Sequence, residues 1–272
     1  MSAIAAAVDA LNSPLVALRA VEVLCGISVA LQAMENLANL PALRETGTWR
    51  WSVLSQDFAR LPRPMLRLIE RVMSRRALLG LSLIQLSCAL AMLAAPRWWW
   101  PVACFNTSLI FALRWRGSVN GGSDSITLIT LACLTLGRGF VHDGPVVLGA
   151  LLYVALQAIA SYLIAGVVKF RSSRWRDGRA LRRFIEGAAV GPPPEVLARL
   201  LRGRCSRTAS FGVISFELSA PFTLISPHFA LLFVSAGVLF HGLNAYLLGL
   251  HRFFWAWLAT YPAIMFAAAL LL

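Results

Sequence analysis

Ser161-Tyr162-Leu163-Ile164-Ala165-Gly166-Val167-Val168-Lys169-Phe170 closes a long apolar run, and a basic segment from Arg171 to Arg183 follows at once. The run begins at Val146 and is long enough to cross a bilayer, which takes ~20 mostly apolar residues per helix. Its last turn carries a singular residue. The chain has 25 basic side chains, of which 24 are Arg and one, Lys169, is Lys. Arg stays protonated in proteins, whereas a partly buried Lys can lose its proton. If Arg serves wherever only positive charge is needed, the surviving Lys marks a position where Arg would not do. The plainer reading is a Lys that snorkels from a helix terminus to the interface.

The rest of the chain repeats that pattern. Apolar residues make up 58% and charged residues 14%, with a mean hydropathy of +0.71. A soluble domain of this length does not need so much apolar surface. A transmembrane barrel would show period-2 alternation, and the runs show none. The fold class expected is therefore all-α: a polytopic integral membrane helical bundle in a single transmembrane domain over residues 1–272. Eight spans are expected, over Pro14–Leu37, Ala77–Ala95, Val102–Leu113, Ile126–Leu136 with its flanks, Val146–Lys169, Thr208–Ile225, Pro227–Leu248 and Phe253–Leu272. Seven is the alternative, if one run lies in the interface. Met65–Met73 and Val196–Leu201 read as short amphipathic helices on the membrane surface. No basic n-region opens the chain, so no cleavable signal peptide is expected.

The formal net charge of +13 comes from Arg clustered in short loops. Topology and anionic lipid headgroups explain that placement better than nucleic acid does. Regions 44–76, 114–116, 169–207 and 251–252 carry nearly all the Arg. With eight spans they fall on one side, which the positive-inside rule makes cytoplasmic, and both termini face outward. Trp98-Trp99-Trp100 reads as an interfacial aromatic belt. The five Cys are scattered with no CxxC pair, so neither a disulfide framework nor a metal site is expected.

Charges inside apolar runs are the candidate site residues, because they are costly there and usually turned into the bundle. Glu217 lies near the middle of the sixth span. Arg19 and Glu22 share a face of the first span; a pair that locks packing is the alternative reading. His241 and Asn244 share a face of the seventh. Asn120-Gly121-Gly122-Ser123-Asp124 interrupts the apolar pattern, with Asp124 read either as lying at or near the N-cap of the next helix or as part of a polar re-entrant turn.

Tyr162 to Lys169 followed by Trp175-Arg176-Asp177-Gly178-Arg179-Ala180-Leu181 resembles the aGlaKl…W.dG.al signature of the HTTM-domain family. Those proteins are bacterial relatives of vitamin K-dependent γ-carboxylase. Arg19, Phe216-Glu217-Leu218 with Pro221, and His241 followed by Phe253-Phe254-Trp255 agree in order. The resemblance implies a base at Lys169 that deprotonates a vitamin K-like quinol, with Glu217 and His241 as catalytic partners. It makes Arg19, Asn120, Asp124 and Trp175 the candidates for holding the cofactor. It also implies a bacterial inner-membrane location, membrane lipids as surroundings, and a peptide or lipid as substrate. The alternative from the same resemblance is a non-enzymatic factor that binds or matures a secreted peptide with a partner membrane protein. A transporter is a third reading, without the inverted repeat that would support it. This chain departs from the carboxylase branch in having no His in the 120–124 segment and no large extramembrane domain. The charge rule also puts Lys169 on the cytoplasmic side, whereas the carboxylase works on the lumenal side.

Overall fold

Ser13, followed by Pro14 at the first helical position, starts the first helix, because proline has no N–H to leave unsatisfied there. A computed structural model describes residues 11–44, 46–47, 49–115, 121–188 and 193–271. Helix α1 is Pro14–Ala38, α2 is Arg63–Val72, α3 is Arg75–Ala94, α4 is Trp99–Trp115 and α5 is Gly121–Gly139. Then come α6 (Gly144–Arg171), α7 (Arg179–Glu186), α8 (Pro194–Leu200), α9 (Arg204–Leu218), α10 (Pro227–Leu248), α11 (His251–Leu258) and α12 (Tyr261–Leu270). Short helical turns fill much of the remainder, and the described residues contain no strand. Side-chain caps begin several helices: Ser74 accepts from the Ala77 N–H, Asp143 from Val146 and Ser226 from Phe229.

This is a membrane protein by the length and apolarity of its helices. Five segments are long and apolar enough to cross a bilayer: α1, α3, α6, α10 and the α11–α12 pair. Their outward leucines, among them Leu83, Leu156 and Leu239, are exposed in large numbers, as a lipid-facing surface requires. Helices α4, α5 and α9 have 17, 19 and 15 residues and fall outside that group.

The C-terminal run differs most from expectation. It breaks at Ala259–Thr260, just before Pro262, into α11 and α12. Every residue from Tyr261 to Ala268 is buried. Ala263, Ala267 and Ala268 let neighbouring backbones come close, as small residues do between membrane helices. The run is therefore the axis of the bundle. Helices α1, α6 and α10 surround α12, while α1, α5 and α10 pack on α11.

Two expected surface helices form at nearly their expected places. Helix α2 covers Arg63–Val72 and α8 covers Pro194–Leu200. A third, α7, forms inside the basic stretch after Lys169. Of the expected interruption at 114–125, Arg114 and Trp115 belong to α4 and Gly121 to Ser125 belong to α5, while 116–120 lie outside the described residues.

Candidate functional site

Tyr162, Ala165, Gly166 and Lys169 repeat at helical spacing and lie on one face of α6. Gly166 sits against the end of α9. A Cβ there would lie 2.9 Å from the backbone N of Leu218, so only glycine permits this approach. The approach brings Glu217 beside Lys169. Lys169 Nζ donates to both carboxylate oxygens, at 2.5 and 2.7 Å. The Glu217 side chain is 6% exposed and that of Lys169 is 20% exposed. On its other side Lys169 Nζ lies 5.2 Å from the centre of the Trp175 ring, within cation–π range. Trp175 is fixed in turn by its carbonyl, which accepts a 2.5 Å hydrogen bond from Ser210 Oγ.

Lys169, Glu217, Trp175 and His241 all border one cavity of about 280 Å³. Asn244 joins His241 on its wall, as their spacing on α10 predicts. The remaining wall is apolar and aromatic, with Phe240, Phe253 and Trp257 prominent, and α7 contributes Leu181 and Phe184. His241 is buried, with its ring parallel to Trp257 at 5.6 Å. Its Nε2 lies 2.6 Å from Tyr162 Oη, and its Nδ1 is buried without a partner among the described residues. Tyr162 Oη is in turn 3.0 Å from Tyr261 Oη.

An apolar groove of about 540 Å³ between α9 and α10 adjoins this cavity. The two share Leu181, Val213, Phe240 and Asn244, and α7 and α8 cover the groove from one side. An ion pair at one end and a long apolar space at the other suit an amphipathic ligand.

The other sequence candidates lie elsewhere. Arg19 is at the opposite end of the bundle and does not border the cavity. Its neighbour Leu18 touches Gly137 on α5, which also faces Ala150 on α6; Ala150 and Lys169 are about 28 Å apart along the helix. Arg19 donates to Glu22 at 2.8 Å and to the carbonyls of Met92 and Leu93 at the C-terminus of α3, at 2.6 and 2.7 Å. Those carbonyls are the ones a helix end leaves unpaired. Arg138 also donates to the fully buried Glu22, at 2.6 Å. Arg19 is thus a helix clamp, the packing alternative its spacing allowed.

Asp124 stands near a helix start, as expected, and not in a re-entrant turn. It lies within the first turn of α5 and is paired with Arg252 of α11. Gln32 donates to it at 3.0 Å, and Arg252 also reaches Glu35 at 2.7 Å. Phe253, next to Arg252, lines the cavity, so Asp124 acts one layer behind it. Asn120 lies outside the described residues.

Sequence reasoning gave no role to Tyr162, although it stands two helical turns before Lys169 on the same face. It missed Tyr261 and Trp257 as well. It also missed a buried amide network: Gln85 donates to Gln32 and Ser108, both at 2.9 Å, and Trp115 donates to Asn36 at 2.9 Å. The available signal was Gln32, Glu35 and Asn36 on one face of an apolar helix.

Outside the membrane-spanning helices, Arg179 grips Asp177 through Nε and its backbone N–H, at 2.6 and 3.0 Å. These hydrogen bonds, the side-chain one foremost, hold the Asp177 carboxyl below its usual range. Comparison with protein-family models, curated proteins and solved structures finds no match.

Proposed function

We propose that this protein is a membrane enzyme that binds a quinol and removes its proton through the Lys169–Glu217 pair. One observation carries the reading: the chain's single Lys is ion-paired to a buried Glu on the wall of an apolar cavity. The residues suit such a ligand. Aromatic walls match a ring, the unpaired Nδ1 of His241 and the ion pair match its oxygens, and the α9–α10 groove matches an apolar tail. When bound, a quinol supplies an acidic O–H and the electrons for reaction with oxygen.

The pair explains why Lys is required. At rest the ammonium and carboxylate neutralise each other. Lys169 can take a proton from the ligand on one side while releasing one of its own to Glu217 on the other. The net acceptor is the carboxylate, and the amine carries the proton across. A guanidinium in the same place holds its protons too tightly to do this. The apolar and aromatic wall limits the water that can intercept the transfer.

The motif resemblance to the HTTM family and γ-carboxylase supports the same assignment, with a peptide or lipid as the second substrate. We read α4, α5 and α9 as further spans, for eight in all, and place the Lys169 end at the cytoplasmic face of a bacterial plasma membrane. The test has two parts. Organic extraction of the purified protein should release a quinone detectable by mass spectrometry. Added naphthoquinol should give protein-dependent oxygen uptake. A protein with neither property overturns the proposal.

A further inference from the structure

The hydroxyls of Tyr261 and Tyr162 form a short chain that ends on His241. Both tyrosines and the histidine are buried, so each hydroxyl proton needs an acceptor inside the protein. Only one order gives both hydroxyl protons an acceptor, and it puts the one donor left over on His241, which borders the cavity, and not on Tyr261, which does not. Tyr261 Oη has Tyr162 Oη as its sole hydrogen-bond partner among the described residues. If Tyr162 donated to Tyr261, the Tyr261 proton would be buried without an acceptor. Tyr261 therefore donates to Tyr162, and Tyr162 donates to His241 Nε2. An Nε2 that accepts carries no proton, so the proton of the neutral ring sits on Nδ1.

The packing around the chain keeps it in place. Tyr261 reaches Tyr162 across α10 because residue 237 is glycine; a Cβ there would lie 2.2 Å from Tyr261 Oη. The Tyr162 ring is wedged among Phe216, Phe233 and Trp257, at 5.5, 5.2 and 4.6 Å between centres. The His241 ring is held parallel to Trp257 and beside Phe253 and Phe240. None of these groups offers an acceptor to Nδ1, which is the ring's unpaired polar atom on a residue that borders the cavity.

We infer that Tyr162 and Tyr261 are positioning residues that lock His241 as a neutral Nδ1–H donor, so that the cavity selects a ligand presenting an acceptor oxygen to it. This rests on the reading that the cavity binds a ligand, and it specifies which group of that ligand meets His241. A neutral imidazole donor facing a ligand oxygen stabilises negative charge as it develops there, without itself changing charge. Proton acceptor and oxyanion donor then stand on different walls: the Lys169–Glu217 pair on α6 and α9, His241 on α10. The chain of hydroxyls sets the donor's tautomer from the Nε2 side of the ring; Tyr162 borders the cavity as well, whereas Tyr261 does not line it.

The experiment is nitrogen NMR of histidine-labelled protein in lipid nanodiscs, with no ligand added, the His241 signal being identified by its loss in His241→Gln. A protonated Nδ1 and an unprotonated Nε2 are expected. Tyr162→Phe removes the donor to Nε2 and should shift the ring toward the Nε2–H form. A wild-type ring protonated at Nε2, or a folded Tyr162→Phe protein with an unchanged spectrum, overturns the inference. If Tyr162→Phe does not fold, the wild-type spectrum alone decides. In the oxygen-uptake assay, Tyr162→Phe should lower turnover by about 10²-fold, the loss expected when one such donor is misdirected. An Nδ1–H ring in a protein that holds no quinone sinks the functional reading and leaves this inference; an Nε2–H ring in a quinone-bound protein does the reverse.

Discussion

Two buried carboxylates, each gripped by cations, stand at opposite ends of this bundle. Glu22 is fully buried between Arg19 and Arg138, and Arg19 spends its other donors on the carbonyl end of α3. Glu217 faces Lys169 across the edge of a cavity. The ingredients are alike, but the surroundings and the choice of cation differ. At the Glu22 end both partners are Arg, so the cluster cannot trade protons. At the Glu217 end the partner is the one basic side chain that can, with space beside it for a ligand. A buried ion pair is structural or chemical according to whether its protons and its neighbouring volume are free to change.

The sharpest break of this comparison is Glu22→Ala. It leaves two arginines facing each other without their carboxylate, and stability should fall by about 3–5 kcal/mol. Heat-inactivation half-life and the yield of monodisperse protein in detergent measure it. A triple change of Arg19→Met, Glu22→Leu and Arg138→Met should recover most of that loss, since apolar packing replaces a buried ion cluster at little cost. The equivalent apolar pair at the other end, Lys169→Met with Glu217→Leu, should fold but lose quinol-dependent oxygen uptake.

Gly166→Ala tests the geometry that makes the second site. Its Cβ collides with the Leu218 backbone, so α9 must move away from Lys169, at a cost of about 1–3 kcal/mol. Quinol-dependent uptake should drop with it, whereas Gly80→Ala, with open space around residue 80, should change neither property.

The smallest effect belongs to the exposed Asp177–Arg179 contact. The folded Asp177 carboxyl lies below its unfolded value, so its contribution is complete above the unfolded pKa of ~3.9 and fades as pH falls through the folded one. Asp177→Asn should therefore melt slightly lower than the wild type at neutral pH. The two should converge in acid. A difference that persists there would show that the contact acts by shape and not by charge.

Much of the fold was legible because bilayer physics writes strongly into sequence. Apolar runs of the right length gave α1, α3, α6 and α10, and the amphipathic α2 came from the same periodicity. What could not be read was which run is central. The Phe253–Leu272 run looks like any other span, and its place at the axis follows from alanines whose partners are distant in sequence. The site was legible where its residues are chemically odd for their setting. A lone Lys, a Glu in an apolar run and a mid-span His do meet at one cavity, and Trp175 joins them, although Glu217 stands one residue from the end of α9 and not at mid-span. Arg19 is equally odd, yet it clamps a helix end, because oddness marks cost and not purpose. Asp124 was legible as a residue near a helix start, and it does stand in the first turn of α5; its partner Arg252, far along the chain, was not legible. Tyr261 left no signal at all, as a tyrosine at a helix start is ordinary until its hydroxyl is seen against Tyr162.

The most direct test of the central assignment is oxygen uptake with naphthoquinol by wild-type and Lys169→Arg proteins, each shown to be folded and monodisperse. Arg keeps the charge and can still pair with Glu217, so a purely structural role survives the change. Loss of uptake to the protein-free rate in Lys169→Arg is the predicted result. Equal rates in the two proteins would show that no proton passes through Lys169, and would reduce the pair to a second clamp like the one around Glu22.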